Sequence, residues 1–115
     1  MREVRQREPR LVLPALTKLA EGLPCMFRVP GICNGRTDTT VWCHSNESRH
    51  GKGVGQKSHD CFGALGCSAC HQWYDFDSRS KEVTLEMIDR QLAFRDAMER
   101  TLYYFWANGL ITVRR

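Results

Sequence analysis

From Trp42 to His71 the chain reads WCHSNESRHGKGVGQKSHDCFGALGCSACH, and this stretch decides the fold. It contains all four histidines (His44, His50, His59, His71) and four of the six cysteines (Cys43, Cys61, Cys67, Cys70), with Cys25 and Cys33 just upstream. Soft ligands and near-neutral bases crowded into roughly a quarter of the chain point first to metal binding and then to chemistry on a phosphate.

The cysteine spacing supplies the first expectation. Cys67-x-x-Cys70 at the start of a helix is one half of a tetrahedral sulfur site. Cys25 and Cys33, with seven residues between them around Pro30-Gly31, form the other half. The spacing predicts a structural Zn²⁺ on Cys25, Cys33, Cys67 and Cys70, with Cys43 and Cys61 in reserve. Those two otherwise read as small core hydrophobes. Cys67-x-x-Cys70-His71 also spells the attachment motif of a c-type haem. That chemistry requires export, and MREVRQREPR at the N-terminus reads as a charged lead-in with no apolar run behind it.

Length and composition set the frame. The chain of 115 residues, 42% hydrophobic, predicts one modest core that gains from a metal brace. We divide it into an N-terminal extension with a short helix (1–20) and a zinc-stabilised domain (21–115). No stretch approaches 18 apolar residues, which excludes a membrane span. Six cysteines without a secretory signal are expected to remain reduced in a cytoplasm. The net charge of +4 is compatible with nucleic acid without requiring it.

Along the chain, Leu11–Glu21 reads as a short helix with Pro14 in its first turn, stopped by Gly22. Residues 24–35 read as a hairpin turning at Pro30-Gly31 and Asn34-Gly35. Thr39–Cys43 predicts a strand ending at His44, and residues 45–60 a polar loop. Its Gly51-x-Gly53-x-Gly55 run lacks the Gly-Lys-Ser/Thr ending of a phosphate-binding Walker loop. A helix follows over 68–77, with His71 and Asp75 one turn apart on one face. Thr84 is an N-cap for a last helix to about Ala107, its apolar stripe running through Leu85, Ile88, Leu92, Met98, Leu102, Phe105 and Trp106. Asn108-Gly109 stops it, and Leu110–Val113 offers a short strand.

A histidine ending a strand, a loop, then Cys-x-x-Cys-His opening a helix resembles the HNH endonucleases of the ββα-metal superfamily. Within it, the chain is most similar to a small family of nucleases of lambdoid phages and prophages with a four-cysteine zinc site. The resemblance covers about Cys25 to Asp77 and the last helix. It implies an α+β fold, a zinc-braced ββα-metal motif with a long C-terminal helix. His44 would be the general base, and His71 would bind a catalytic Mg²⁺ or Mn²⁺. Asp60, with Asn46 as the alternative, stands nearest the middle position of the motif, binding the catalytic ion or orienting His44. Asp75 is a further ligand candidate. Cys43 occupies the position where such enzymes often carry a metal ligand before the base.

The expected function is metal-dependent hydrolysis of DNA phosphodiesters in phage recombination or DNA processing, in the cytoplasm of a bacterial host. Arg49, Lys52 and Lys57, on the loop between His44 and His71, are the expected phosphate contacts. A homodimer or recombination-protein partners are also compatible with this reading. The alternatives are a zinc-stabilised nucleic-acid-binding module without catalysis and a protein-interaction adaptor.

Overall fold

A computed structural model describes residues 9–53, 55–76 and 84–112. The elements are helix α1 (Pro14–Ala20), strand β1 (Val41–His44), strand β2 (Gly63–Gly66), helix α2 (Ser68–Asp75) and helix α3 (Leu85–Ala107). Short 3₁₀ turns occupy Thr37–Thr39 and Ser48–His50. The molecule is mixed α+β, with a two-stranded antiparallel sheet and a long C-terminal helix. No described helix is long and apolar enough to cross a membrane.

The sheet pairs Val41 with Gly66, Trp42 with Leu65, Cys43 with Ala64 and His44 with Gly63. Alternation along the strands sends successive side chains to opposite faces. Cys43 and Ala64 join a cluster with Cys25, Phe27, Cys67, Cys70, Tyr74, Phe94 and Ala97. Trp42 and Leu65 join Ala20, Met26 and Phe105 on the other side. Both glycines ending β2 are sterically required. A Cβ at Gly63 would lie 2.3 Å from the Trp42 ring, and one at Gly66 would lie 2.7 Å from Cys43 Sγ.

The outer edge of β2 is closed without a third strand. The Leu65 amide donates to Thr101 Oγ1 at 3.0 Å, and its carbonyl accepts from the Met26 amide at 2.8 Å. Thr101 also donates to the Ala97 carbonyl at 2.7 Å, so one hydroxyl ties α3 to the sheet. Phe94 stacks on Tyr74 at 4.8 Å between ring centroids and meets Phe27 edge-on at 6.0 Å, joining α3, α2 and the 24–35 segment.

Several expectations shift. Helix α1 starts at Pro14 instead of Leu11, and β1 starts at Val41 because Thr37–Thr39 form a 3₁₀ turn. The buried line of α3 is Phe94, Ala97, Thr101 and Phe105. Of the expected stripe only Phe105 is buried and Met98 half-buried, while Leu85, Ile88, Leu92, Leu102 and Trp106 are exposed. The sheet selects the helix face that offers Thr101 to an otherwise unpaired strand amide, and that choice outweighs side-chain size. Cys61 is exposed instead of core. Residues 110–112 form no strand, and Val113 lies outside the described residues, as does position 77 of the expected second helix. Thr84 caps α3 as expected, accepting from the Met87 amide at 3.1 Å, and Gly109 follows its end at φ +71°.

Candidate metal centre and active-site cleft

The 24–35 turn and the start of α2 bring four sulfurs together. The amides of Ile32 and Cys33 both donate to the Val29 carbonyl, and Gly31 takes φ +77° to close the turn. Cys67 is the N-cap of α2, its sulfur accepting from the amides of Cys70 (3.4 Å) and Asn34 (3.5 Å). The sulfurs of Cys25, Cys33, Cys67 and Cys70 all lie within 4.8 Å of one another, and Cys33 and Cys67 are 3.9 Å apart. Tetrahedral bonds of about 2.3 Å to zinc place sulfurs roughly 3.8 Å apart, so the donor set fits such an ion. Burial would raise the Cys67 thiol, but its amide donors outweigh that and bring it down to about 7. Burial raises the Cys33 and Cys70 thiols. A dication neutralises the charge that four ionised neighbours would otherwise share. Cys43 is fully buried against the same cluster, its thiol pushed up by desolvation, and is not among the four.

His71 follows Cys70 on α2 and lines a cleft of about 350 Å³ with His44, Asn46, Lys52, Lys57 and Asp75. His71 Nε2 lies 3.1 Å from Asp75 Oδ2, the one-turn pairing expected from the sequence. Asn46 Nδ2 donates to Asp75 Oδ1 at 3.0 Å. Burial works to raise the Asp75 carboxyl, yet hydrogen bonds from His71 and Asn46 hold it below its ordinary value. The Asp75 hydrogen bond raises His71 against the opposing effect of burial. An imidazole and a carboxylate on one wall of an open cleft are a donor pair suited to a divalent ion.

His44, at the end of β1, forms the wall between this cleft and a second one of about 490 Å³ that includes Arg10, Thr17, Lys18, Lys57 and Asp60. Its Nε2 lies 2.7 Å from Asp60 Oδ1. Asp60 is 3% exposed and does not line the His71 cleft. Burial would raise its carboxyl, but donors from the Leu13 amide, His44 and Arg10 hold it below its ordinary value. The structure thus places Asp60 beside His44 and puts Asp75 beside His71.

The remaining loop residues separate clearly. Lys52 and Lys57 reach the cleft, whereas Arg49 pairs with Glu47 at 2.8 Å and lines neither cleft. His50 is buried, its Nδ1 2.6 Å from Ser45 Oγ and its ring stacked on Phe62, and burial lowers its pKa. His59 Nδ1 accepts from the Leu11 amide at 2.9 Å. Both brace the loop. The Tyr74 hydroxyl accepts from the Asn46 amide at 2.8 Å, so this aromatic is tied to the loop. Sequence reasoning missed Arg10, Thr17 and Lys18, which carry no motif and reach the site only through the placement of α1.

The family described as "Putative nuclease YbcO" matches residues 14–109. The chain belongs to the YbcO family. Two curated YbcO relatives are each 40% identical over 60 residues: "Putative nuclease YbcO" of Escherichia coli (strain K12) and "Putative nuclease ybcO" of Enterobacteria phage 82. The match takes in 52% of this chain and 62% of the length of either curated YbcO relative. A solved structure titled "Structure of a putative bacteriophage protein from Escherichia coli str. K-12 substr. MG1655" is similar at TM-score 0.57 and 29% identity. It covers 82% of this chain and 99% of its own.

Proposed function

We propose that this YbcO-family chain is a metal-dependent DNA endonuclease of the HNH type. The observation that carries the reading is His44 and His71 lining one cleft with Lys52 and Lys57, while the sulfur cluster occupies the residue before His71. In this reading Cys25, Cys33, Cys67 and Cys70 hold a structural zinc. His71 and Asp75 hold a catalytic Mg²⁺ or Mn²⁺, which supplies charge stabilisation to the phosphoryl oxygens and leaving group.

The chain's own groups do the rest. Asp60 is ionised and acceptor-only, so it takes the Nε2–H of His44 and leaves the Nδ1 lone pair for the attacking water. Asn46 fixes the Asp75 carboxylate from the other side. Lys18, Lys52 and Lys57 form no ion pair among the described residues and line the joined clefts, where they would follow a phosphate backbone. Arg49 is assigned to bracing Glu47 instead. Action in phage recombination or DNA processing follows from the family resemblance.

A plasmid-nicking assay with Mg²⁺ or Mn²⁺ tests this reading, wild type against His44→Ala. Metal-dependent nicking lost in the variant is expected. Equal nicking by both proteins would sink the base assignment. Salt-sensitive DNA binding without nicking under any divalent ion would favour a zinc-braced binding module.

A further inference from the structure

We propose that the outer face of α3 pairs antiparallel with α3 of a second copy of this chain. The helix is apolar on two sides. Its inner line packs on the sheet, and its outer line keeps Leu85 76%, Ile88 41%, Leu92 50%, Leu102 60% and Trp106 56% exposed. With Arg95 and Glu99 these residues follow a three-four alternation, the spacing of a seam between two helices. The pattern is self-complementary when reversed about Ala97. Ile88 then faces Trp106 of the second copy, Leu92 faces Leu102 and Arg95 faces Glu99, and twofold symmetry makes each pair twice. The charges suit this arrangement. Arg95 and Arg49 both bond Glu47, so the trio keeps one net positive charge toward the opposing Glu99. A parallel pairing would set Arg95 against Arg95 and Glu99 against Glu99.

Sedimentation equilibrium of the metal-loaded protein over a concentration series tests the pairing. A dimer is expected for wild type, with association weakened at least tenfold in Leu92→Lys and in Glu99→Arg. Both residues are solvent-exposed and both variants should retain wild-type circular dichroism. A wild-type monomer throughout overturns the proposal, as does a dimer indifferent to both substitutions.

A separate set of contacts assigns Arg10, four residues before the family match begins, as a positioning residue for His44. Residues 10–13 lie along residues 58–60. Arg10 Nε donates to the Ser58 carbonyl at 2.9 Å, and the Asp60 amide donates to the Leu11 carbonyl at 2.9 Å. The Leu13 amide donates to Asp60 Oδ2. An Arg10 terminal nitrogen donates to Asp60 Oδ1 at 2.6 Å and lies 3.3 Å from His44 Nε2, and the same carboxylate oxygen accepts from His44 at 2.7 Å. Arg10 and Leu13 therefore leave Asp60 one orientation, in which its free direction is filled by the imidazole.

This assignment rests on the nuclease reading only for its kinetic consequence. In metal-loaded wild type, a solvent-protected His44 Nε2–H proton resonance is expected downfield. Arg10→Ala should lose it while keeping circular dichroism and metal content, and should lower nicking kcat about tenfold at unchanged KM. Arg10→Gln, which keeps part of the aliphatic stem but lacks the guanidinium and its charge, gives the same readout should the alanine variant not fold. An unchanged resonance in a folded variant overturns the assignment. No nicking by a wild type that shows the resonance refutes the nuclease reading and leaves the placement of Arg10 standing.

Discussion

Cys70 and His71 are neighbours in the chain yet serve different places on α2. The Cys70 thiol is fully buried beside the three other clustered sulfurs, of which Cys33 is half-buried, and the His71 imidazole is half-exposed in the cleft it shares with His44. Adjacent helical residues point about 100° apart, so one turn of α2 anchors the helix with one side chain and offers the next to a ligand. The cleft then inherits its geometry from the sulfur cluster.

On the proposed reading, removing zinc from the four-cysteine cluster should therefore abolish the fold as well as any activity. Elemental analysis should find one zinc per chain, and chelation should collapse the far-ultraviolet ellipticity. Sulfur-rich zinc sites contribute about 10–16 kcal/mol to folding in small domains. Cys67→Ser and Cys70→Ser should behave like the stripped protein. Cys61→Ser, at an exposed thiol outside the cluster, should keep wild-type zinc content and melting temperature. Native ellipticity in zinc-free protein would contradict this.

Loss of a cleft side chain should separate chemistry from stability. His44→Ala should cut nicking by about 10²–10⁴-fold, the usual range for a general base. Asp75→Asn should raise the Mn²⁺ needed for half-maximal nicking by about 10–100-fold. Asp75→Asn should melt within a few degrees of wild type, since the Asp75 side chain is 43% exposed, whereas His44→Ala also removes a hydrogen bond to buried Asp60 and should cost about 1 kcal/mol. Large drops in melting temperature would assign these residues to the framework instead.

Phosphate contacts by the cleft lysines should appear in salt titrations of DNA binding. Each of Lys52→Ala and Lys57→Ala is expected to reduce the slope of log affinity against log salt by about 0.9 on duplex DNA. Arg49→Ala should leave the slope unchanged, because that guanidinium is engaged with Glu47. Equal slopes for all three variants would remove the clefts from the binding path.

Asp60 should leave an acid signature in stability. Its folded pKa is depressed below the unfolded value of about 3.9. The stabilisation is therefore complete above that value and is lost as pH falls through the folded pKa. Asp60→Asn should cost about 1–3 kcal/mol in denaturant melts at neutral pH. The gap from wild type should narrow only below about pH 4. A gap that already closes between pH 7 and 5 would point to a different titrating group.

Crowding at the strand ends predicts a steric penalty. Gly63→Ala and Gly66→Ala should each cost about 1–3 kcal/mol, because the new methyl group meets the Trp42 ring or Cys43 Sγ. Gly55→Ala, where nothing lies within 4 Å but φ is +70°, should cost less, about 1 kcal/mol. Denaturant melts with equal m-values check the ranking.

What could be read from the residues alone was local or stoichiometric. Cysteine spacing picked out the four clustered sulfurs, while the pairing of His44 with His71 came from the family resemblance, and both line one cleft. Thr84 and Asn108-Gly109 marked both ends of α3. The failures share one cause, contacts made across long separations. Thr101 looks like a helix-surface residue until Leu65 needs an acceptor. Asp60 looked equally suited to a metal or to His44 until Arg10 and Leu13, almost fifty positions earlier, closed around it. His50 and His59 resemble solvated loop residues, and their partners Ser45 and Leu11 carry no periodic signal.

The closure of β2 by Thr101 and Met26 has one more consequence. A bare strand border invites a foreign strand, and proteins usually deter this with charge, proline or a covering helix. Here a single hydroxyl and a single loop amide perform that guarding at Leu65. A valine at position 101 would keep the shape and reopen the border, and such a variant should be prone to fibril-like self-association even while its four-cysteine cluster stays intact.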